Sequence, residues 1–401
     1  MLSKRVAITG LGIFCSIGKN VEEFLWSLKE GRMGIGPISL FDTSKYPSKI
    51  GAEIRGYRPE DFFDKKELKR ISRTDQFALI AAEEAMRTSG IHSISLEEVG
   101  ICLGAGAGGM FEAEAYHQEV LLKGKSKPSL LLPFIPSFTA DRVAERFSFS
   151  GPKMTVTTAC SSSATAIGYG ADLIRSGRAK AVLCGGSEAL SELTFGGFNS
   201  LRAMDLSPCK PFDRKRAGMS LGEGAAILVL EGFDEAMKRE AEIYAEFLGY
   251  GVGGEAYHMT APEPSGLTES RIMREAMEEG GIPLQEVDYI NAHGTGTPLN
   301  DKIETLAIKK TFGEKAYSIP VSSIKSMVGH CLGSAGAIEA VASVLSITHQ
   351  FIPPTLTHQD GDEDCDLDYV PEESRKREVR VVLSNSFAFG GNCTTLIFGK
   401  K

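Results

Sequence analysis

No Cys-x-x-Cys pair and no Cys/His quartet occurs among the eight cysteines of this 401-residue chain. That pattern suggests neither a disulfide framework nor a structural zinc site, and it fits a reducing compartment. Positive charge is in deficit: 44 Lys and Arg stand against 52 Asp and Glu, a net −8, which argues against general nucleic-acid binding. There is no long apolar run. The most apolar helical stretch, Ala335 to Ile347, contains Glu339 and is too short to cross a bilayer. The opening MLSKRVAITGLGIF has no extended apolar leader and reads as a first strand. A cytoplasmic protein that meets no membrane is the expectation. Hydrophobic residues at 42% and charged residues at 24% suffice for a packed core. The length accommodates two domains or one large duplicated unit.

What is present is a grammar that repeats. Lys4 to Thr9 reads as a strand closed by Gly10 and Gly12, and Thr74 to Thr88 as an Ala-rich helix. Asp64 to Arg73 reads as a basic helix, and Leu130 to Ser137, apolar with two prolines, as a buried loop. EEAMRTSGI, ending at Ile91, matches REAMEEGGI, ending at Ile282, and SLEEVGICLGAGAGG runs parallel to PLQEVDYINAHGTGT. TVTTAC, ending at Cys160, matches PVSSIK, ending at Lys325, and AVLCGG, ending at Gly186, matches VVLSNS, ending at Ser386. Four pairs in one order point to two α/β halves, residues 1–240 and 241–401, with strands buried on both faces. Loops equivalent under that repeat converge on one site.

Those loops hold the candidate chemistry. In TVTTACSSSATAIGYG a short strand breaks at Ala159-Cys160 into a small-residue helix, which puts Cys160 near a helix N-terminus. A lone cysteine is usually core filler, but this setting lowers a thiol pKa and makes the sulfur nucleophilic. NAHGTGTPLND follows a strand, so His293 sits at its carboxyl end, with Thr295 and Thr297 offering hydroxyls and Asn300 or Asp301 placed to cap the next helix. SIKSMVGHCLGSAGAIE places His330 at a helix start, where imidazole stays neutral, with Lys325 before it and Glu339 available for a buried pair. NSFAFGGNC puts Phe389 ahead of two glycines, where its N–H can join that of Cys160 in an oxyanion hole. GAGAGG, Gly104 to Gly109, fits a dinucleotide loop. The acidic residue needed about 20 residues later is missing from a strand end, so it is read instead as the counterpart of the His293 loop.

A TAC-x-S nucleophile, HGTGTP, K-x-x-x-x-GH and F-x-FGG, in that order over nearly the whole chain, resemble the condensing enzymes, specifically the elongating β-ketoacyl-acyl-carrier-protein synthases of type II. KPFDRKRAGMSLGEGAAILVLE and EAYHMTAPEPSG also look like that family. The resemblance implies the thiolase fold, a duplicated five-layer αβαβα arrangement, in a homodimer with no cofactor and no metal. It implies an acyl thioester on Cys160, and His293 and His330 polarising the malonyl thioester as it loses carbon dioxide. Lys325 would organise the pair through Glu339, and Phe389 would act as gate. Thr295 and Thr297 resemble residues that bind the phosphopantetheine arm, and Phe198, Met110 and Phe111 resemble acyl-pocket positions. The implied partner is an acidic acyl carrier protein, and the family's docking helix corresponds to Lys65, Lys66, Lys69, Arg70 and Arg73, with Lys123, Lys125, Lys127 and Arg202 as possible additions.

The chain departs from the pattern in places. The usual G-F-G-G-T-N reads Ala388 to Cys393, and alanine is a stiffer hinge than glycine. Three serines follow Cys160, a spelling shared with polyketide ketosynthases, and the altered stretch from Gly109 to Pro133 means that acyl-chain preference does not follow. A thiolase would carry a second cysteine in C-x-G, an initiating ketosynthase His and Asn, and a non-catalytic chain-length partner no nucleophile. A polyketide or polyene ketosynthase is the main alternative.

Overall fold

The computed structural model describes residues 4–401. Its ten main strands are β1 Val6–Cys15, β2 Val99–Gly104, β3 Lys153–Val156, β4 Ala181–Glu188, β5 Gly224–Gly232, β6 Ala245–Gly254, β7 Tyr289–Asn291, β8 Val321–Ser322, β9 Val381–Ala388 and β10 Asn392–Gly399. They hydrogen-bond in the order β8-β7-β9-β10-β6-β1-β5-β4-β2-β3. Adding five to each strand number of the first half reproduces the second half in mirror order, so the sequence repeat is a structural one. The halves join where Val6, Ala7 and Ile8 pair antiparallel with Phe247, Glu246 and Ala245. Arg5 spans this seam, its guanidinium donating to both Glu246 oxygens at 2.7 and 2.6 Å.

Six helices follow the same rule: α1 Arg73–Ser89, α2 Met110–Lys123, α3 Ser162–Arg175, α4 Leu267–Gly280, α5 Pro298–Phe312 and α6 Ala335–His349. Helix α1 packs outside the first half, on β1, β5 and β4, and α4 packs outside the second, on β6 and β10 with α5 beside it. Between the halves lie α3 and α6. The first touches β2, β4 and β5 but also β6 and β10, and the second touches β9 and β10 but also β4 and β5. This is the five-layer thiolase-like arrangement. Helices buried along most of their length must be mainly small and apolar, which is why α3 reads SSATAIGYGADLIR, with only Tyr169 and Asp172 exposed, and α6 AGAIEAVASVLSITH, exposed only at Thr348 and His349. The apolar segment Leu332–His349 is thus core.

Three expectations need correction. The first strand does not close at Gly10; it runs on to Cys15. Its glycines serve close packing: a Cβ on Gly12 would lie 1.9 Å from the carbonyl oxygen of Ala81 in α1, and one on Gly251 of β6 would lie 2.4 Å from that of Ile272 in α4. The segment from Leu130 to Ser137 is not buried. Pro128–Phe134 forms 3-10 turns on the surface, and Leu131, Leu132, Phe134 and Ile135 are exposed beside Leu121 and Leu122 of α2. None of the described residues covers them. The basic stretch from Asp64 to Arg73 is not a helix but a single 3-10 turn, Glu67–Lys69, because Asp64 accepts the Lys66 and Glu67 N–H groups in a turn of its own.

Because the backbone of α1 leaves no room, Gly12→Ala is expected to destabilise the fold by about 2 kcal/mol or more, read as a lower urea midpoint with an unchanged slope.

Candidate active site

At the end of β3 the chain turns through Ala159, whose φ of 51° is in the left-handed region. A non-glycine residue there is sparsely populated and must be held by its surroundings. Hydroxyls do the holding: Ser162 Oγ accepts the Thr158 N–H at 2.9 Å and donates to the Ala159 carbonyl at 2.6 Å, and Ser161 Oγ donates to the Thr158 carbonyl at 2.9 Å. Cys160 sits on the resulting 3-10 turn, one residue before Ser161, the N-cap of α3. Ser163 accepts the Ala337 N–H at 2.9 Å, which ties α3 to α6. The serines after the cysteine are therefore the splint of its elbow and a link between the two halves.

The expected low thiol pKa is not found. Burial pushes Cys160 up to about 11, and the Lys325 charge and a hydrogen bond from the Phe389 N–H offset it only in part. The resting sulfur is a thiol, because desolvation of a thiolate outweighs the donors aimed at it.

His293 follows β7, and two carboxylates of α5 shape its loop from below. Glu304 accepts the N–H groups of His293 and Gly294, both at 2.8 Å; Asp301 accepts those of Thr295, Gly296 and Phe212, the last at 2.7 Å. Neither Asn300 nor Asp301 therefore caps α5, whose N-cap is Thr297 without a side-chain bond. In the first half Glu188 does the same for the glycine loop after β2, accepting N–H groups of Gly106, Ala107 and Gly108, with Gly333 at 3.4 Å. The amides that a dinucleotide phosphate would need are already taken. Burial holds Glu188 and Glu304 up at about 7. Sequence reasoning missed both clamps, since nothing local marks a carboxylate that acts 10 or 80 residues away.

His330 is stitched by its backbone to another segment: its N–H donates to Ser220 at 2.7 Å, and its carbonyl accepts from Gly222 at 3.0 Å. Its Nδ1 accepts the Leu332 N–H at 3.1 Å, so the proton sits on Nε2, which has no partner among the described residues. His293 reaches the same tautomer by another route. Its Nδ1 lies 3.3 Å from the Lys325 ammonium, which can only donate, so Nε2 again carries the proton. The two rings stand edge to face with centroids 5.3 Å apart. Both imidazoles are held well below the usual histidine range, first by burial and then by the Lys325 charge. Their neutrality comes from these causes and not from a helix dipole, since His330 stands ahead of a 3-10 turn, Leu332–Ser334, and not on α6.

Lys325 is 1% exposed and Glu339 2%. The ammonium donates to the His293 carbonyl at 2.6 Å and to Glu339 Oε1. Burial holds Glu339 up at about 7 against the pull of Lys325.

Cys160, His293, His330, Thr295, Thr297, Phe198 and Phe389 line one cavity of about 370 Å³, whose wall includes Arg202, Glu255 and His258. Thr295 and Thr297 share a hydrogen bond of 2.9 Å. Phe389 stacks on Phe198, centroids 5.7 Å apart, on a turn where Gly390 and Gly391 take left-handed φ and Ala388 is ordinary extended backbone. Not every candidate comes together. Met110 and Phe111 open α2 and do not line this cavity. Lys65, Lys66, Lys69 and Arg70 are exposed, whereas Arg73 is not available on that surface, because its guanidinium is paired with buried Glu223 at 2.6 and 2.9 Å.

A thiol and two Nε2–H donors lining one cavity form a constellation for acyl transfer and enolate stabilisation. The comparisons agree. The family description "Beta-ketoacyl synthase, N-terminal domain" matches residues 3–236, and "Beta-ketoacyl synthase, C-terminal domain" matches 244–359. The chain belongs to the beta-ketoacyl synthase family. As a synthase of this family it is an acyltransferase. It is 42% identical to the 3-oxoacyl-[acyl-carrier-protein] synthase 2 of Synechocystis sp., over 99% of this chain and 98% of that one. Among solved structures it resembles the ishigamide ketosynthase/chain length factor, with TM-score 0.95, 36% identity and full coverage of both chains. It also resembles the AntDE:AntF complex, a type II PKS acyl-carrier protein with its ketosynthase bound to the hexaketide, with TM-score 0.91, 32% identity and again full coverage of both.

The synthase's buried ion pair makes a prediction. Lys325→Met strips Glu339 of its partner and is expected to cost about 3 kcal/mol of stability. It also removes the positive neighbour that keeps both imidazoles neutral, so NMR titration of His293 and His330 should show protonation beginning at higher pH than in the parent protein.

Proposed function

We propose that this protein elongates acyl chains by decarboxylative Claisen condensation in fatty-acid synthesis. The observation that carries the reading is the pair of Nε2–H donors, each with its Nδ1 already occupied, beside Cys160 in one cavity. Cys160 Sγ attacks the acyl thioester of one carrier; its proton goes to the departing carrier thiol. Malonyl-carrier then binds with its thioester oxygen between His293 and His330. Carbon dioxide leaves, the C–C electrons become an enolate, and the two imidazoles hold its oxygen without changing their own charge. The enolate carbon attacks the acyl-Cys160 carbonyl. The tetrahedral oxygen sits on the Cys160 and Phe389 N–H groups, and sulfur departs to give the β-ketoacyl thioester. Neutral donors suit this step, because an imidazolium would be paid for in desolvation before the reaction began.

The phosphopantetheine arm runs past Thr295 and Thr297, and Phe389 moves off Phe198 to admit the chain. An acyl carrier protein docks on Lys65, Lys66, Lys69 and Arg70, free of Arg73. The apolar strip of Leu121, Leu122, Leu131, Leu132, Phe134 and Ile135 is the surface that pairs with a second chain of the same fold, giving a homodimer in the cytoplasm. A polyketide or polyene synthase is the second reading, favoured by the likeness to the ishigamide and hexaketide-bound ketosynthases; the product profile with defined acyl-carriers separates the two.

Incubation with acyl-carrier is expected to add one acyl unit to Cys160 by mass spectrometry and none to Cys160→Ala; an unmodified Cys160 rejects the reading. Replacing His293 or His330 by Ala should cost 10²- to 10³-fold in malonyl decarboxylation, roughly the loss of one oxyanion donor. Charge reversal at Lys65 and Lys69 should raise KM for carrier-bound substrate and leave the rate with a small thioester unchanged. Equal loss on both substrates counts against docking there.

A further inference from the structure

Behind the Phe389 turn lies a cluster that the condensing reaction does not use. Glu255 on the loop after β6, Glu269 in the first turn of α4 and Cys393 in β10 each present a ligand atom, and these atoms lie within 4.8 Å of one another. Among the described residues no other group of three His, Cys, Asp or Glu meets that condition. Cys393 is 1% exposed and Glu269 1%. Glu269 Oε2 is buried and, with the neighbouring Glu255 carboxyl ionised as well, has no donor among the described residues. Glu255 uses one oxygen, Oε2, to accept the Glu263 N–H at 3.1 Å, and its Oε1 lies 4.0 Å from Cys393 Sγ. The neighbouring Arg271 donates to Glu275 at 2.7 Å. Two carboxyls and a thiol packed this closely, Glu269 and Cys393 out of water and Glu255 half-buried, cannot all be ionised unless a cation joins them.

We propose that Glu255, Glu269 and Cys393 bind a thiophilic divalent cation of the zinc class. A thiolate with two carboxylates selects that class over magnesium or calcium, which take oxygen alone. Ligands at zinc bond lengths and tetrahedral angles stand about 3.5 Å apart, so the Cys393–Glu255 pair, at 4.0 Å, closes by about half an ångström on binding, and no pair in the cluster closes by more than roughly 1.5 Å. Glu255 also lines the catalytic cavity, which supplies the ion's route in and leaves the fourth position to water. The consequence is mechanical. The Glu255 N–H already donates to Gly391 at 3.0 Å, and the Gly390 N–H to Met259 at 2.8 Å. The side chain of Asn392, next to Cys393, holds the Phe389 carbonyl at 3.0 Å. A bound ion locks β10, which carries this turn, to the Glu255 loop and to α4, and so stiffens the base of the Phe389 turn.

Titration of the full-length protein with Co²⁺ tests this without any carrier substrate, and so independently of the condensing reaction. One equivalent should bind with a thiolate-to-cobalt charge-transfer band. That band should persist in Cys160→Ala, vanish in Cys393→Ser and need about tenfold more Co²⁺ or greater in Glu269→Gln. Zn²⁺ should raise the Tm of the parent protein and not that of Glu269→Gln, whose folding is checked by circular dichroism. Absence of the band, its survival in Cys393→Ser, or unaltered binding by Glu269→Gln would each overturn the proposal.

Discussion

The site depends on one buried ammonium. Lys325 is nearly inaccessible, and its Nζ donates to the His293 carbonyl and to Glu339 while facing His293 Nδ1 at 3.3 Å. This contact fixes a tautomer, sets the electrostatic environment of two imidazoles and tethers β7 and its loop to α6. A charge taken out of water persists only where its partners are placed for it. The elements that bring those partners, the strand ends and α6, are thereby held to one arrangement.

The paired glycine loops obey the same constraint. Each needs its amides turned inward, and each is filled by buried carboxylates: Glu188 in the first half, Asp301 and Glu304 in the second. The repeat has kept the architecture and changed its content. Ala105 stands where the other half carries His293, and Cys160 where the other half carries Lys325. A symmetric frame thus presents a nucleophile from one side and proton donors from the other, and Ser163 bonds to α6 across the join. The proposed cation site lies on the same cavity wall, where Glu255 is shared between the two.

Much of this was legible before any coordinates. The four repeated segments fall on equivalent strands and helices, and the small-residue helix read after Cys160 is α3. The reading failed where a local signal competed with a distant contact. Gly10 and Gly12 looked like a stop, but they are the floor on which α1 rests. The segment from Leu130 to Ser137 looked buried because it is apolar, yet it is exposed. Arg73 looked like one more basic surface residue, but Glu223, 150 positions on, claims it.

By itself the sequence determined the duplicated α/β frame, the family and the identities of the reacting groups, because periodicity and motif order are local properties that the chain carries along its length. Only the tertiary structure decided their state. Burial made Cys160 a thiol and not a thiolate, Lys325 and the Leu332 amide chose Nε2 as the proton-bearing nitrogen of each ring, and Glu188 closed the glycine loop to phosphate. Protonation and tautomer follow from what surrounds a group in space, and those surroundings are assembled from residues that lie far apart in the chain.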